Sequence, residues 1–183
     1  LLANIARWAS VDPYKLLDVT FGGSGYDIAC ATTESALIYQ KTSTTPIVTP
    51  VTYDPPFKDE LYFVYLNKKQ NSRESIKHYR SLDQESLTEE KARFSKFTQD
   101  LLSCKSIVAF EKLLSEHEDN LSRILKTPTI KTKLFADYPR AIKSLGGWGG
   151  DFVLVVGTTS QMDYFRNNGY DTIVPYKDMI LGE

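Results

Sequence analysis

A chain of 183 residues suffices for one domain with a real core or for one and a half smaller ones, and its 42% hydrophobic and 25% charged residues exclude large-scale disorder. With 22 basic and 23 acidic side chains the net charge is −1, so no general field draws nucleic acid or an anionic membrane, and any phosphate binding must be local. No apolar run approaches the ~20 residues of a membrane span; Cys30 and Cys104 match no metal or redox spacing, which fits a reducing, cytoplasmic setting with both thiols buried as small apolar groups.

Residues 1–9 place Leu2, Ile5, Ala6 and Ala9 at helical spacing with no cap before them. Because Leu1 is not an initiator methionine, this opening predicts a fragment or a processed product. Asp12 and Pro13 read as an N-cap and a first helical residue, starting a short helix that runs to about Val19. It delivers the chain to Phe21-Gly22-Gly23-Ser24-Gly25-Tyr26-Asp27-Ile28-Ala29. The glycines let the backbone turn tightly and come close to a ligand. Residues 26–31 then read as the first turns of a helix, which puts Asp27 where amide N–H groups converge. That makes Asp27 a candidate catalytic carboxylate, although an ordinary loop ending in an N-terminal helix acid has the same local pattern.

Residues 35–40 and 47–53 are rich in branched and aromatic side chains and predict two strands, with Pro50 confining the second to an edge or a bulge. Asp54-Pro55-Pro56-Phe57 is the candidate boundary, giving units 1–56 and 57–183. The second unit opens on the apolar run 61–66, a strand, followed by a helical region. That region predicts a helix over 71–80, a second opened by a capping box at Ser86 to Glu89 with Phe94, Phe97 and Leu101 on one face, and a third from about Ser106 to Lys126. Residues 141–145 and 152–156 predict strands on either side of a glycine-rich loop. Thr158 to Gln161 is a capping box for a helix ending at Gly169, and 171–175 is the last strand. The order β-α-β-β-α-β is that of a ferredoxin-like α+β sandwich whose first crossover has expanded to several helices. The charged stretch 85–93 reads as a solvated helix face, and His78 and His117, each without a second ligand at metal spacing, read as helix-surface or boundary residues.

The segment Gly23-Ser24-Gly25-Tyr26-Asp27-Ile28-Ala29 resembles the motif of the galactokinase, homoserine kinase, mevalonate kinase and phosphomevalonate kinase (GHMP) superfamily, in whose mevalonate branch a Ser-Gly-x-Asp carries the catalytic aspartate. Lys143-Ser144-Leu145-Gly146-Gly147-Trp148-Gly149-Gly150-Asp151 resembles the family's late glycine-rich loop between two strands. Both stand in family order at about the family's separation. The resemblance covers nearly the whole chain and is closest to a bacterial group named for the letters Gly-Tyr-Asp-Ile-Ala. It implies the end of an N-terminal S5-like α/β domain followed by a ferredoxin-like domain. It also implies transfer of the ATP γ-phosphoryl group, with Mg²⁺, to a small mevalonate-like acceptor in isoprenoid biosynthesis. On this reading Asp27 orients or deprotonates the acceptor hydroxyl and Ser24 and Gly25 shape its turn. Gly146, Gly147, Gly149 and Gly150 let the second loop approach the substrate, and no residue is assigned to a metal.

The chain departs from the family in two places. A Gly-Leu-Gly-Ser-Ser nucleotide loop is absent from the 183 residues, and Trp148 stands where the family usually has a small residue, so an indole would narrow or close the pocket. Lys143 matches a lysine often found ahead of the loop and reads equally well as a surface strand lysine. A ferredoxin-like ligand-binding or interaction module, or an inactive kinase homologue, is the alternative. The partners expected of the chain are a small-molecule phosphate acceptor and a second copy in a homodimer.

Overall fold

In the computed structural model, which describes residues 1–20, 22–42, 45–69, 77–83, 87–146, 148 and 151–180, the chain divides into two units, Leu1–Asp54 and Pro55–Gly182. In the first, helix α1 spans Leu2–Ala9 and buries Ala3 and Ala6. Helix α2, Pro13–Asp18, starts as its sequence dictates: the Asp12 side chain accepts hydrogen bonds from the Tyr14 and Lys15 amides, and Pro13 fills a position that needs no N–H donor. Helix α3, Tyr26–Thr32, buries Ile28 and Ala29. Cys30 lies one residue beyond that buried pair and is exposed, contrary to the expectation for both cysteines, whereas Cys104 is buried. Strands β1, Ala36–Gln40, and β2, Ile47–Val51, pair antiparallel with Leu37 opposite Pro50. Pro50 is tolerated because β2 has a single neighbour in this sheet and needs no donor on its other side.

The second unit is an α+β sandwich. A 3₁₀ turn, Lys58–Glu60, leads into β3, Leu61–Tyr65. Helical residues 77–80 follow, then α4, Thr88–Ser103, α5, Ile107–Leu125, and the short α6, Ile130–Leu134. Next come β4, Ile142–Ser144, β5, Phe152–Val156, a 3₁₀ turn at Ser160–Met162, α7, Asp163–Asn167, β6, Ile173–Pro175, and α8, Tyr176–Met179. The sheet runs β4-β5-β3-β6 with every neighbour antiparallel, which puts the first and third strands of the β-α-β-β-α-β series in the centre. The pleat sorts the apolar run of β3. Tyr62, Val64 and Leu66 join Ile142, Val153 and Val155 beneath Phe135, Tyr138, Met162 and Phe165. Leu61 and Val156, paired across the strands, close instead on Phe57, Phe110 and Leu114. Burial of each such large side chain contributes about 1.5–3 kcal/mol.

Caps set several of the boundaries. Ser106 accepts from the Ala109 amide at the start of α5, and Lys126, at φ 50°, ends it. Thr158 and Gln161 form the reciprocal capping box, each side chain bonded to the other's amide. The helix that follows ends at Gly169, φ 84°, whose amide and that of Tyr170 bond back to Arg166 and Phe165. Of the expected helix over 71–80, residues 71–76 lie outside the described residues, as does Ser86 of the second capping box; α4 begins with Leu87 in the cap position and without a side-chain cap.

Candidate active site

The glycine turn before α3 is built by conformations that few other residues adopt. Gly22, Gly23 and Gly25 have φ of 63°, 131° and 82°. At Gly25 a Cβ would also stand 2.8 Å from the Tyr14 ring and 3.0 Å from the Tyr39 hydroxyl, so the position admits glycine on two counts. Tyr39 and Lys41 of the β1 side hold the turn from outside: the Tyr39 hydroxyl donates to the Ser24 carbonyl and the Lys41 ammonium to the Gly23 carbonyl at 2.8 Å. Ser24 accepts from the Tyr26 amide through its hydroxyl at 3.2 Å. The Gly25 carbonyl takes the Ile28 and Ala29 amides and starts the helix. Tyr26 packs edge-on against Tyr39, and Cys30 beside it, with burial, pushes its phenol up to about 12.

Ser24, Gly25 and Asp27 therefore share one braced turn. Asp27 is exposed in the first turn of α3, and among the described residues its carboxylate makes no hydrogen bond or ion pair. A carboxylate that the fold leaves unengaged, on a backbone held by side chains from another element, is free to accept a proton or a hydrogen bond from a ligand.

The second motif connects β4 to β5. Gly146, φ 67°, opens the connection, while Gly147, Gly149 and Gly150 lie outside the described residues. Trp148 carries φ 52°, uncommon for a bulky side chain, with its amide bonded to the Gly146 carbonyl at 3.0 Å. Its ring stands 5.6 Å from Tyr79 and lines, with Leu121, Leu125 and Ser144, a cavity of about 30 Å³. The indole and the far half of α5 thus line one cavity.

At the root of this connection lies a buried polar network that the motif search did not single out. Glu118 of α5, 6% exposed, accepts from the Ser144 amide at 3.1 Å, from the Ser144 hydroxyl at 2.9 Å and from the Lys143 ammonium at 3.3 Å. The Lys143 ammonium also lies 3.3 Å from His117 Nδ1, which is itself 3.8 Å from Glu118 Oε1. His117 sits between the Phe94 and Phe97 rings of α4. Burial lowers the His117 pKa against the pull of Glu118. Burial raises the Glu118 carboxyl, but the His117 hydrogen bond, the Lys143 charge and the two Ser144 bonds outweigh it and hold that carboxyl below its ordinary range. Lys143 is accordingly no surface lysine; its side chain is 18% exposed and fastens β4 to α5. One signal for this network was legible: Glu118 occupies the stripe position between Leu114 and Leu121 on α5, an acid on an apolar face.

No group of three or more His, Cys, Asp or Glu side chains placed to hold a metal occurs among the described residues, and none of their helices is long and apolar enough to cross a membrane. The fold is similar to those of solved mevalonate kinases. A Lin0012 protein from Listeria innocua matches with a TM-score of 0.58 at 13% identity, over 91% of this chain and 59% of its own. A mevalonate kinase matches with a TM-score of 0.58 at 15% identity, over 92% of this chain and 58% of its own. The L. major mevalonate kinase solved with R-mevalonate matches with a TM-score of 0.53 at 12% identity, over 82% of this chain and 51% of its own. The chain thus spans between a half and three fifths of the solved proteins it resembles. No protein-family model and no curated protein matches it.

Proposed function

We propose that this chain carries the acceptor side of a small-molecule kinase of the GHMP superfamily, one that transfers the ATP γ-phosphoryl group to mevalonate or phosphomevalonate in cytoplasmic isoprenoid biosynthesis. The observation that supports it is the exposed Asp27 carboxylate, unengaged among the described residues, on a left-handed glycine turn in a chain with a mevalonate-kinase-like fold. Phosphoryl transfer asks a protein for positioning and charge neutralisation more than for covalent work. Asp27 would orient the acceptor hydroxyl and take its proton as that oxygen bonds to phosphorus and ADP departs. Ser24 and Gly25 would fix the turn, and Gly146, Gly147, Gly149 and Gly150 would keep the second loop clear of side chains beside the substrate. The residues present suit the acceptor rather than ATP and Mg²⁺: the sequence has no Gly-Leu-Gly-Ser-Ser loop, and the described residues no acidic cluster. Neither ATP nor Mg²⁺ is therefore given a residue of this chain.

A coupled ADP-release assay with mevalonate and phosphomevalonate tests the reading. The 183-residue chain alone is expected to fall well below the ~1–100 per second of typical kinases, whereas a longer form that supplies a Gly-x-Gly-Ser-Ser loop should reach that range only when acceptor is present. Fast turnover by the chain alone would mean that the nucleotide site is misassigned. Release by the longer form that ignores the acceptor would overturn the kinase assignment.

A further inference from the structure

Diagonally across the sheet from the β4–β5 connection, at the free edge of β6 and the start of β3, the second unit contains a cleft of about 280 Å³. Its floor is hydroxylic. Tyr62, 6% exposed, points its hydroxyl at the Thr159 hydroxyl 2.9 Å away, and both side chains line the cleft. Two hydroxyls that share one hydrogen bond use one of their two hydrogens, so whichever donates, one O–H remains to be given to a ligand. Lys58, Asp59, Arg166 and Lys177 also line the cleft. Arg166 gives one guanidinium nitrogen to Asp163 at 2.7 Å and retains further donors. Further lining is apolar, made by Met162, Ile173 and Pro175.

The remaining Arg166 donors, the Lys177 ammonium and a spare hydroxyl donor suit an oxyanion with several acceptor oxygens, and the apolar lining suits a hydrocarbon body attached to it. We propose that this cleft is a binding site for a small phosphomonoester with an apolar or aromatic body. No described residue of the Asp27 turn or of the glycine loop lines it, and its chemistry does not depend on the kinase reading.

The test is isothermal titration of the full chain with phenyl phosphate, inorganic phosphate and phenol. Phenyl phosphate is expected to saturate with a submillimolar Kd, with the other two at least about tenfold weaker, because each supplies one half of the recognition. Lys177→Gln and Arg166→Gln should each weaken phenyl phosphate about 10-fold, the usual effect of losing a hydrogen bond to a charged group. Lys177 is exposed, so its variant folds as the parent does and carries the test even if loss of the Asp163 pair harms the Arg166 variant. Absence of saturation below about 10 mM, equal affinity for inorganic phosphate, or unchanged affinity in the Lys177 variant would each overturn the assignment.

Discussion

Asp27→Asn is expected to lower kcat for the acceptor by about 10² to 10⁴ in the active form of the protein, with ATP affinity almost unchanged. Asparagine keeps the size and much of the hydrogen bonding of the carboxylate but loses its charge and basicity, which are what an acceptor hydroxyl requires as it attacks phosphorus. Folding should hardly notice. The Asp27 side chain is exposed and makes no hydrogen bond or ion pair among the described residues, and the turn beneath it is held by Tyr39 and Lys41 through backbone carbonyls that the substitution does not touch. A helix-start acid of no chemical importance would behave differently, since asparagine serves nearly as well there and stability would shift by at most about 1 kcal/mol at near-normal turnover. The two roles separate on rate. A folded variant that keeps more than about a third of the parent kcat has lost under 1 kcal/mol of barrier, and Asp27 is then not the base.

Glu118→Ala should destabilise the second unit by about 3–5 kcal/mol in urea unfolding, because it strands the Lys143 charge in a buried site and removes the acceptor of the Ser144 amide and hydroxyl. Replacing both charges with apolar groups, as Glu118→Leu with Lys143→Met, should cost far less, since the uncompensated charge then disappears. The same network sets the acid limb of stability. His117 is held below its usual 6.5 by burial, so as pH falls through 6.5 the unfolded chain takes up a proton that the folded chain resists, and stability declines. Glu118 lies below its usual 4.5, so its contribution is complete above that pH and is lost only as pH falls through its lower folded value. His117→Gln should remove the decline that begins near pH 6.5 and leave the more acid one. A melting temperature flat between pH 7 and 4.5 in the parent chain would contradict this assignment.

Where a residue type and its spacing have a single physical use, the sequence was readable. Asp12-Pro13, Ser106 and the Thr158–Gln161 pair each fix a helix start by side-chain bonds to orphan amides, and all three are formed. The apolar run of β3 and the alternating order of strands and helices predicted the β-α-β-β-α-β sandwich. Short elements escaped. Helices α6 and α8 have five and four residues, too few for a periodic stripe, and with α6 went the core positions of Phe135 and Tyr138. The candidate turn was legible because glycine is the residue that adopts positive φ freely, but the second reason for Gly25, the Tyr14 ring pressed against it, is tertiary. Lys143 was ambiguous for the same cause: a lysine on a strand reads as solvated until its partner Glu118, 25 residues earlier, is known to face it.

The claim that the Asp27 turn receives the acceptor is tested most directly by titrating mevalonate into the isotope-labelled chain and following its backbone amide signals. Substrates are commonly held with constants between about 1 μM and 1 mM, so about 10 mM should approach saturation even for a weakened site. Saturable shifts concentrated at the amides of Ser24, Gly25, Tyr26 and Asp27 are the predicted result. Saturation elsewhere with those four amides unmoved, or no saturable shift up to that concentration, would contradict it.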